Sequence, residues 1–110
     1  MVLPLETTVR DVKRRIDAGE SVVFIDVREP EEYRDELGHL PFSRLIPLRA
    51  LPSSATELES LKGKEIVVVC RAGVRSTTAA AILTALGFEH VSNLKGGMLE
   101  WNEAHLPVER

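Results

Sequence analysis

The chain has 110 residues, a hydrophobic fraction of 44% and a net charge of −3 at pH 7. This length supports one hydrophobic core, so we expect a single domain over residues 1–110. The small negative charge gives no reason to expect a nucleic-acid partner, and no apolar run reaches the length of a membrane span. A lone cysteine excludes an internal disulfide and fits a reducing compartment, and the absence of a signal-peptide pattern favours a cytoplasmic location.

The first half of the chain alternates between strand and helix patterns. A capping box from Thr8 to Asp11 begins a helix that Gly19 ends, and Val9, Val12 and Ile16 mark one face of it. A continuous apolar run closed by a carboxylate then predicts a buried parallel strand. In chain order we expect an edge strand at 1–5, a helix between Thr8 and Gly19, a strand at 21–26, a short helix at 30–34, a turn at 38–41 and a strand at 44–46.

The second half continues the alternation. A capping box from Ser54 to Glu57 predicts a helix with Leu58 and Leu61 facing inward. In chain order we expect that helix to end near Gly63, then a strand at 66–70, a helix at 76–86, a strand at 91–94 and a helix at 97–104. Strands that alternate with helices predict an α/β fold in which helices cover both faces of a mostly parallel sheet.

The segment V-V-V-C-R-A-G-V-R-S-T-T at 67–78 predicts the functional centre. A buried strand delivers Cys70 to a short loop that opens a helix. Loop amides and a helix start both favour negative charge, and a thiol there loses its proton more easily. Arg71 and Arg75 add positive charge, and Gly73 supplies the backbone freedom of a tight loop. The sequence therefore predicts an exposed, anionic sulfur in a cradle for a small oxyanion.

Two further charged residues follow a predicted strand at the same edge of the sheet. Asp26 and Arg28 lie at the carboxyl end of one strand, and Cys70 lies at the end of another, where sites in parallel sheets form. We expect Asp26 to play a structural role, with Arg28 as its hydrogen-bonding partner.

The remaining polar residues favour ordinary structural roles. His39 lies in a turn, and His90 and His105 are too dispersed to suggest a metal site. Trp101 lies among apolar residues and is predicted to be core. The acidic residues after Arg28 are predicted to form a solvated face: Glu29, Glu31, Glu32, Asp35 and Glu36.

Four motifs together resemble the single-domain rhodaneses, a family of sulfurtransferases, over residues 22–108. The resemblance implies a three-layer rhodanese-like fold. One departure is that Phe42 and Ser43 stand where the family commonly has Gly-Ala, which bears on the rim of the pocket. The motifs are D-V-R-E-P-E-E-Y at 26–33, G-H-L-P at 38–41, C-R-A-G-V-R-S at 70–76 and G-G-M-L-E-W at 96–101.

The resemblance implies that Cys70 carries sulfur as a persulfide. The donor would be thiosulfate or a protein persulfide, and the acceptor a thiol or another protein; no cofactor or metal is implied, and a monomer is expected. Arg75 would close the loop and Arg71 would attract the donor, while backbone amides would stabilise the sulfur anion. The loop residues concerned are Arg71, Ala72, Gly73, Val74, Arg75 and Ser76.

Two alternatives remain open. A phosphatase or arsenate reductase on a similar scaffold would also use a cysteine thiolate in an arginine-closed loop. Related phosphatases carry one more residue between cysteine and arginine, whereas four residues separate Cys70 from Arg75 here. A non-catalytic binding module is the other alternative, and the retained cysteine and arginines count against it.

Overall fold

A five-stranded parallel sheet forms the centre of the computed structural model, which describes residues 5–110. The strand order is β1-β5-β4-β2-β3 and every neighbouring pair is parallel, so β4 is the middle strand. The edge strand predicted at 1–5 lies almost wholly outside the described residues. The strands are β1 (Leu5–Thr7), β2 (Val22–Asp26), β3 (Arg44–Leu45), β4 (Glu65–Val69) and β5 (His90–Leu94).

Helices pack against both faces of this sheet, and the sheet separates the hydrophobic core into two clusters. One cluster contains Leu83 and the other contains Val12 and Trp101, which confirms the predicted three-layer α/β fold and the core position of Trp101. No helix within residues 5–110 is long and apolar enough to cross a membrane. The helices are α1 (Val9–Asp17), α2 (Pro30–Tyr33), α3 (Leu51–Ser54), α4 (Val74–Ala85) and α5 (Gly97–Glu103), with 3₁₀ turns at Leu48–Ala50 and Glu59–Leu61.

The middle strand β4 explains why a run of apolar residues leads into Cys70. Ile66 and Val68 belong to one core cluster, whereas Val67 and Val69 belong to the other. Successive side chains of a strand point to opposite faces, so a strand covered on both faces needs apolar residues throughout. Each of these side chains contributes about 1.5–3 kcal/mol by burial, which fixes the end of β4 firmly in the sheet.

The predicted helix after Ser54 is wrong, although its inward-facing residues are not. Ser54 is the last residue of α3, and its hydroxyl donates to the Ala50 carbonyl at 2.8 Å instead of capping a new helix. Pro52 lies in the first turn of α3, where its fixed φ favours a helix that begins earlier. Leu58 and Leu61 are buried as predicted, on a segment containing only a 3₁₀ turn.

Candidate active site

Cys70 directly follows β4 and begins a short loop that ends where α4 starts. Gly73 has φ +102°, a left-handed conformation that glycine adopts without strain, and it turns the chain into the helix. As a result α4 begins at Val74, two residues earlier than the predicted start at Ser76. The loop therefore places the sulfur at the beginning of a twelve-residue helix.

The Cys70 sulfur is buried rather than exposed, so that part of the sequence prediction is wrong. Cys70 is 1% exposed, because it directly follows the middle strand and α4 and α5 begin beside it. The amide of Gly73 donates to Sγ at 3.0 Å, and the thiol donates to Ser76 Oγ at 3.2 Å. Of the loop amides at 71–76, that of Gly73 is the one that hydrogen bonds to the sulfur in this structure.

A polar chain leads away from the sulfur toward the edge of the sheet. The Ser76 hydroxyl donates to Asn93 Oδ1, and Asn93 Nδ2 donates to Glu6 Oε2 at 3.5 Å. Ser76 is fully buried and Asn93 is 2% exposed. Sequence reasoning missed Asn93; the available signal was an amide side chain inside the strand pattern at 91–94, since buried polar groups need partners.

The fourth motif, at the start of α5, contacts the backbone of the Cys70 loop. At the start of α5, Met98 N donates to the Cys70 carbonyl at 2.9 Å and Leu99 N donates to the Arg71 carbonyl at 3.0 Å. Gly97 has φ +53°, and a Cβ atom there would lie 2.4 Å from the Cys70 carbonyl oxygen. Only glycine allows this approach, so the motif serves the geometry of the Cys70 loop.

Arg75 binds a carboxylate rather than the sulfur. Its guanidinium forms a two-pronged ion pair with Glu32 of α2, at 2.6 and 2.8 Å. This hydrogen bonding lowers the pKa of Glu32 to about 2 and raises the pKa of Arg75 above its usual value. The prediction of a solvated acidic face is therefore wrong for Glu32, whose side chain is 25% exposed.

Asp26 and Arg28 form a fully buried pair, as the sequence predicted. Arg28 donates to both carboxylate oxygens of Asp26, with Nη2 at 2.8 Å from Oδ2, and both side chains are 0% exposed. The same guanidinium also donates to the carbonyls of Glu32 at 3.1 Å and Gly38 at 2.7 Å. The pair therefore fixes α2 and the turn at 38–41 relative to β2.

Several side chains of the Cys70 loop are exposed to solvent. Arg71, Ala72 and Val74 are exposed. A groove of about 480 Å³ runs beside the loop. Three stretches of the chain line it, and among the lining residues are Glu6, Ala72, Val74, Thr77, Asn93 and Lys95.

Phe42, which departs from the family pattern, does not line the groove beside the Cys70 loop. It is 82% exposed with φ +66°, and it lines a separate groove of about 240 Å³ with the end of α1 and the first half of β2. That groove is at the amino-terminal side of the strands, opposite the Cys70 loop, so Phe42 does not shape the rim near the sulfur.

His39 stacks on Tyr33 with ring centroids 3.6 Å apart, a structural contact. Residues 5–110 contain no group of three His, Cys, Asp or Glu side chains arranged for a metal ion.

Comparison with known proteins agrees with this architecture. The family model for the Rhodanese-like domain matches residues 8–104, and the chain belongs to that family. It is 31% identical over 103 residues to a sulfurtransferase of Allochromatium vinosum, covering 94% of this chain and 92% of that protein. It is 36% identical over 96 residues to the putative sulfurtransferase YtwF of Bacillus subtilis, covering 87% and 88% respectively.

One solved structure is similar over nearly the whole chain. It is a protein of unknown function from Rhodopseudomonas palustris, described as a possible tyrosine phosphatase, with a TM-score of 0.88 and 26% identity. The match covers 96% of this chain and 85% of that one. Relatives named as sulfurtransferases thus support an enzyme of the rhodanese family, and the fold is shared with a protein for which another activity was considered.

Proposed function

We propose that this protein is a sulfurtransferase in which Cys70 carries a sulfane sulfur as a persulfide. The observation that carries the proposal is the donation of the Gly73 amide to Cys70 Sγ at the start of α4. A thiolate or persulfide anion at this position accepts that hydrogen bond and is stabilised by the partial positive charge of the helix start. Four residues between Cys70 and Arg75 keep the loop small enough to enclose sulfur.

The reaction has two half-reactions. The Cys70 thiolate attacks the outer sulfur of a donor such as thiosulfate, a bond forms between the two sulfurs, and sulfite leaves with the electron pair of the broken bond. An acceptor, cyanide or a thiolate, then attacks the outer sulfur of the persulfide, and the electron pair returns to Cys70. Covalent transfer of this kind follows ping-pong kinetics.

The partners follow from the same chemistry. The donor is thiosulfate or another protein's persulfide, and Arg71, which is exposed beside the sulfur, attracts its negative charge. Because the chain has a single cysteine, the persulfide is resolved by an external thiol or protein acceptor. We propose a monomer acting in a reducing compartment such as the cytoplasm, since Cys70 must stay a free thiol between turnovers.

A phosphatase or arsenate reductase is the alternative function. The Rhodopseudomonas protein with a similar fold is described as a possible tyrosine phosphatase. A phosphatase must hold a tetrahedral phosphoryl group with several donors aimed at its oxygens. Here only four residues separate Cys70 from Arg75, one fewer than in related phosphatases, and of the loop amides that of Gly73 is the one that hydrogen bonds to the sulfur. These two features favour sulfur transfer.

The test uses the mass of the intact protein. After incubation with thiosulfate and removal of excess donor, we expect a gain of one sulfur atom, roughly 32 Da, which disappears on adding a reductant. Cys70→Ser is the matched control and gains nothing. In parallel, thiocyanate should form from thiosulfate and cyanide, while an aryl phosphate stays intact. Hydrolysis of the phosphate without a mass gain would replace this proposal with the phosphatase. A protein that neither gains sulfur from thiosulfate nor hydrolyses the aryl phosphate would be a binding module.

A further inference from the structure

The Ser76 hydroxyl has one proton and two neighbours that compete for it. In this structure the hydroxyl donates to Asn93 Oδ1 and accepts from the Cys70 thiol at 3.2 Å. It cannot donate to Asn93 and to the sulfur at the same time. The direction of the Ser76 hydroxyl therefore decides whether the sulfur meets an acceptor, which suits a thiol, or a donor, which suits a thiolate.

Glu6 fixes which way the Asn93 amide faces. An ionised carboxylate only accepts hydrogen bonds, so Asn93 presents Nδ2 to Glu6 and leaves Oδ1 facing Ser76. Cys70, Ser76 and Asn93 are each at most 2% exposed, so bulk water does not supply substitute partners. Turning Ser76 toward the sulfur would leave Asn93 Oδ1 buried without a donor, which is unfavourable.

From this geometry we propose that Asn93 is a positioning residue that controls ionisation of the Cys70 thiol by holding the proton of the Ser76 hydroxyl. With Asn93 in place, the resting thiol is favoured and ionisation requires Ser76 to rotate. Asn93 also borders the groove beside the loop, so the polar chain links the buried sulfur to that groove. The inference concerns the free thiol and does not depend on the proposed sulfur transfer.

Charged groups on several elements also act on this thiol, and they are the same in wild type and in the Asn93 variants. The pairs Asp26–Arg28 and Glu32–Arg75 are each internally neutralised. The groups to be kept constant are Arg71 of the loop, Arg75 of α4, Asp26 at the end of β2, Arg28 after β2, Glu32 of α2, Glu6 of β1, and Lys95 after β5.

The experiment measures the fraction of thiolate against pH. Thiolate absorbance in the ultraviolet reports Cys70 alone once the titration of Cys70→Ser, which retains Tyr33, is subtracted. Asn93→Leu removes the acceptor at similar volume and frees Ser76 to donate to the sulfur. We expect its midpoint to fall by about one pH unit, the effect of one hydrogen bond. An unchanged or raised midpoint in folded Asn93→Leu would overturn the proposal.

Two further variants make the test specific. In a Ser76→Ala background, Asn93→Leu should no longer move the midpoint, because the coupling runs through the hydroxyl. A full shift in that background would reject Ser76 as the link. Asn102→Leu, at the chain's only other asparagine, is the matched control and should leave the midpoint unchanged. If Asn93→Leu does not fold, Asn93→Asp serves instead. It keeps an acceptor, so its midpoint must not fall, and a fall would contradict the proposal.

Discussion

The structure contains two arginine–carboxylate pairs near the Cys70 loop, and they differ in burial. Arg28 and Asp26 are both 0% exposed, and Arg28 also binds two backbone carbonyls. The side chains of Arg75 and Glu32 are 35% and 25% exposed. Among the hydrogen bonds of the described residues, the Arg75 guanidinium binds this carboxylate alone, and the carboxylate also accepts from the Glu29 amide at 3.2 Å. Both pairs use the two-pronged geometry that arginine favours.

This difference separates a framework contact from one that a ligand can change. A buried ion pair whose partner is lost leaves an uncompensated charge in a low-dielectric interior, so it cannot be exchanged easily. A partly exposed pair is screened by water and contributes less to stability than a buried one, so an anionic ligand can compete for its arginine. Arg75 is thus available to an anionic ligand, whereas Arg28 holds β2, α2 and the turn at 38–41 together.

Removing Asp26 gives the largest expected effect. Asp26→Ala leaves the buried Arg28 charge unpaired, and we expect the free energy of unfolding to fall by about 3–5 kcal/mol. Urea unfolding measures this loss of free energy. Asp17→Ala is the control, because Asp17 is 60% exposed in its pair with Lys13 and should cost less than about 1 kcal/mol. Equal losses in the two variants would show that burial does not distinguish these pairs.

Removing Arg75 should affect sulfur loading more than stability. Arg75→Ala takes away a positive charge beside the Cys70 loop that a ligand can recruit, and it leaves Arg71 in place. We expect loading from thiosulfate to slow roughly tenfold, while the free energy of unfolding falls by less than it does in Asp26→Ala. Time-resolved intact mass and urea unfolding give the two quantities. Arg49→Ala, which removes an exposed arginine paired with Glu29, should load normally. Loading at the wild-type rate in Arg75→Ala would show that the ligand does not use Arg75.

The smallest effect is the pH dependence of the Glu32–Arg75 contact. The folded pKa of Glu32, about 2, lies below its ordinary value of 4.5. A carboxyl whose pKa falls on folding stabilises the native state above its unfolded pKa, and this contribution is lost as pH drops through the folded value. Wild type should therefore exceed Glu32→Gln in stability at pH 6, and the difference should shrink between about pH 4.5 and 2. A difference that grows on acidification would contradict the assignment.

The sequence predicted the framework better than the details of the site. The run of β-branched residues before Cys70 and the capping box at Thr8 each carry a local physical signal, and both elements formed where expected. Asp26 and Arg28 are two residues apart, so their pairing was also within reach of local reasoning. The Ser54 helix failed because two local signals competed and the upstream Pro52 prevailed.

Residues brought together from distant parts of the chain were the ones missed. Glu32 lies 43 residues from Arg75, and nothing in the acidic run at 29–36 distinguishes the member that meets an arginine. Asn93 reaches Ser76 only because β5 neighbours β4 in the sheet, an order that the sequence pattern does not specify. The burial of Cys70 likewise depends on α5, which returns to cover the loop.

The hold of α5 on the loop has a consequence for protein engineering. The carbonyls of Cys70 and Arg71 are occupied by the amides of Met98 and Leu99, so the loop's path is set by backbone contacts. Ala72 and Val74 point their side chains outward and contribute none of the side-chain hydrogen bonds that shape it. These two positions can be randomised in a library to recruit new acceptors, while the backbone around the sulfur keeps its form.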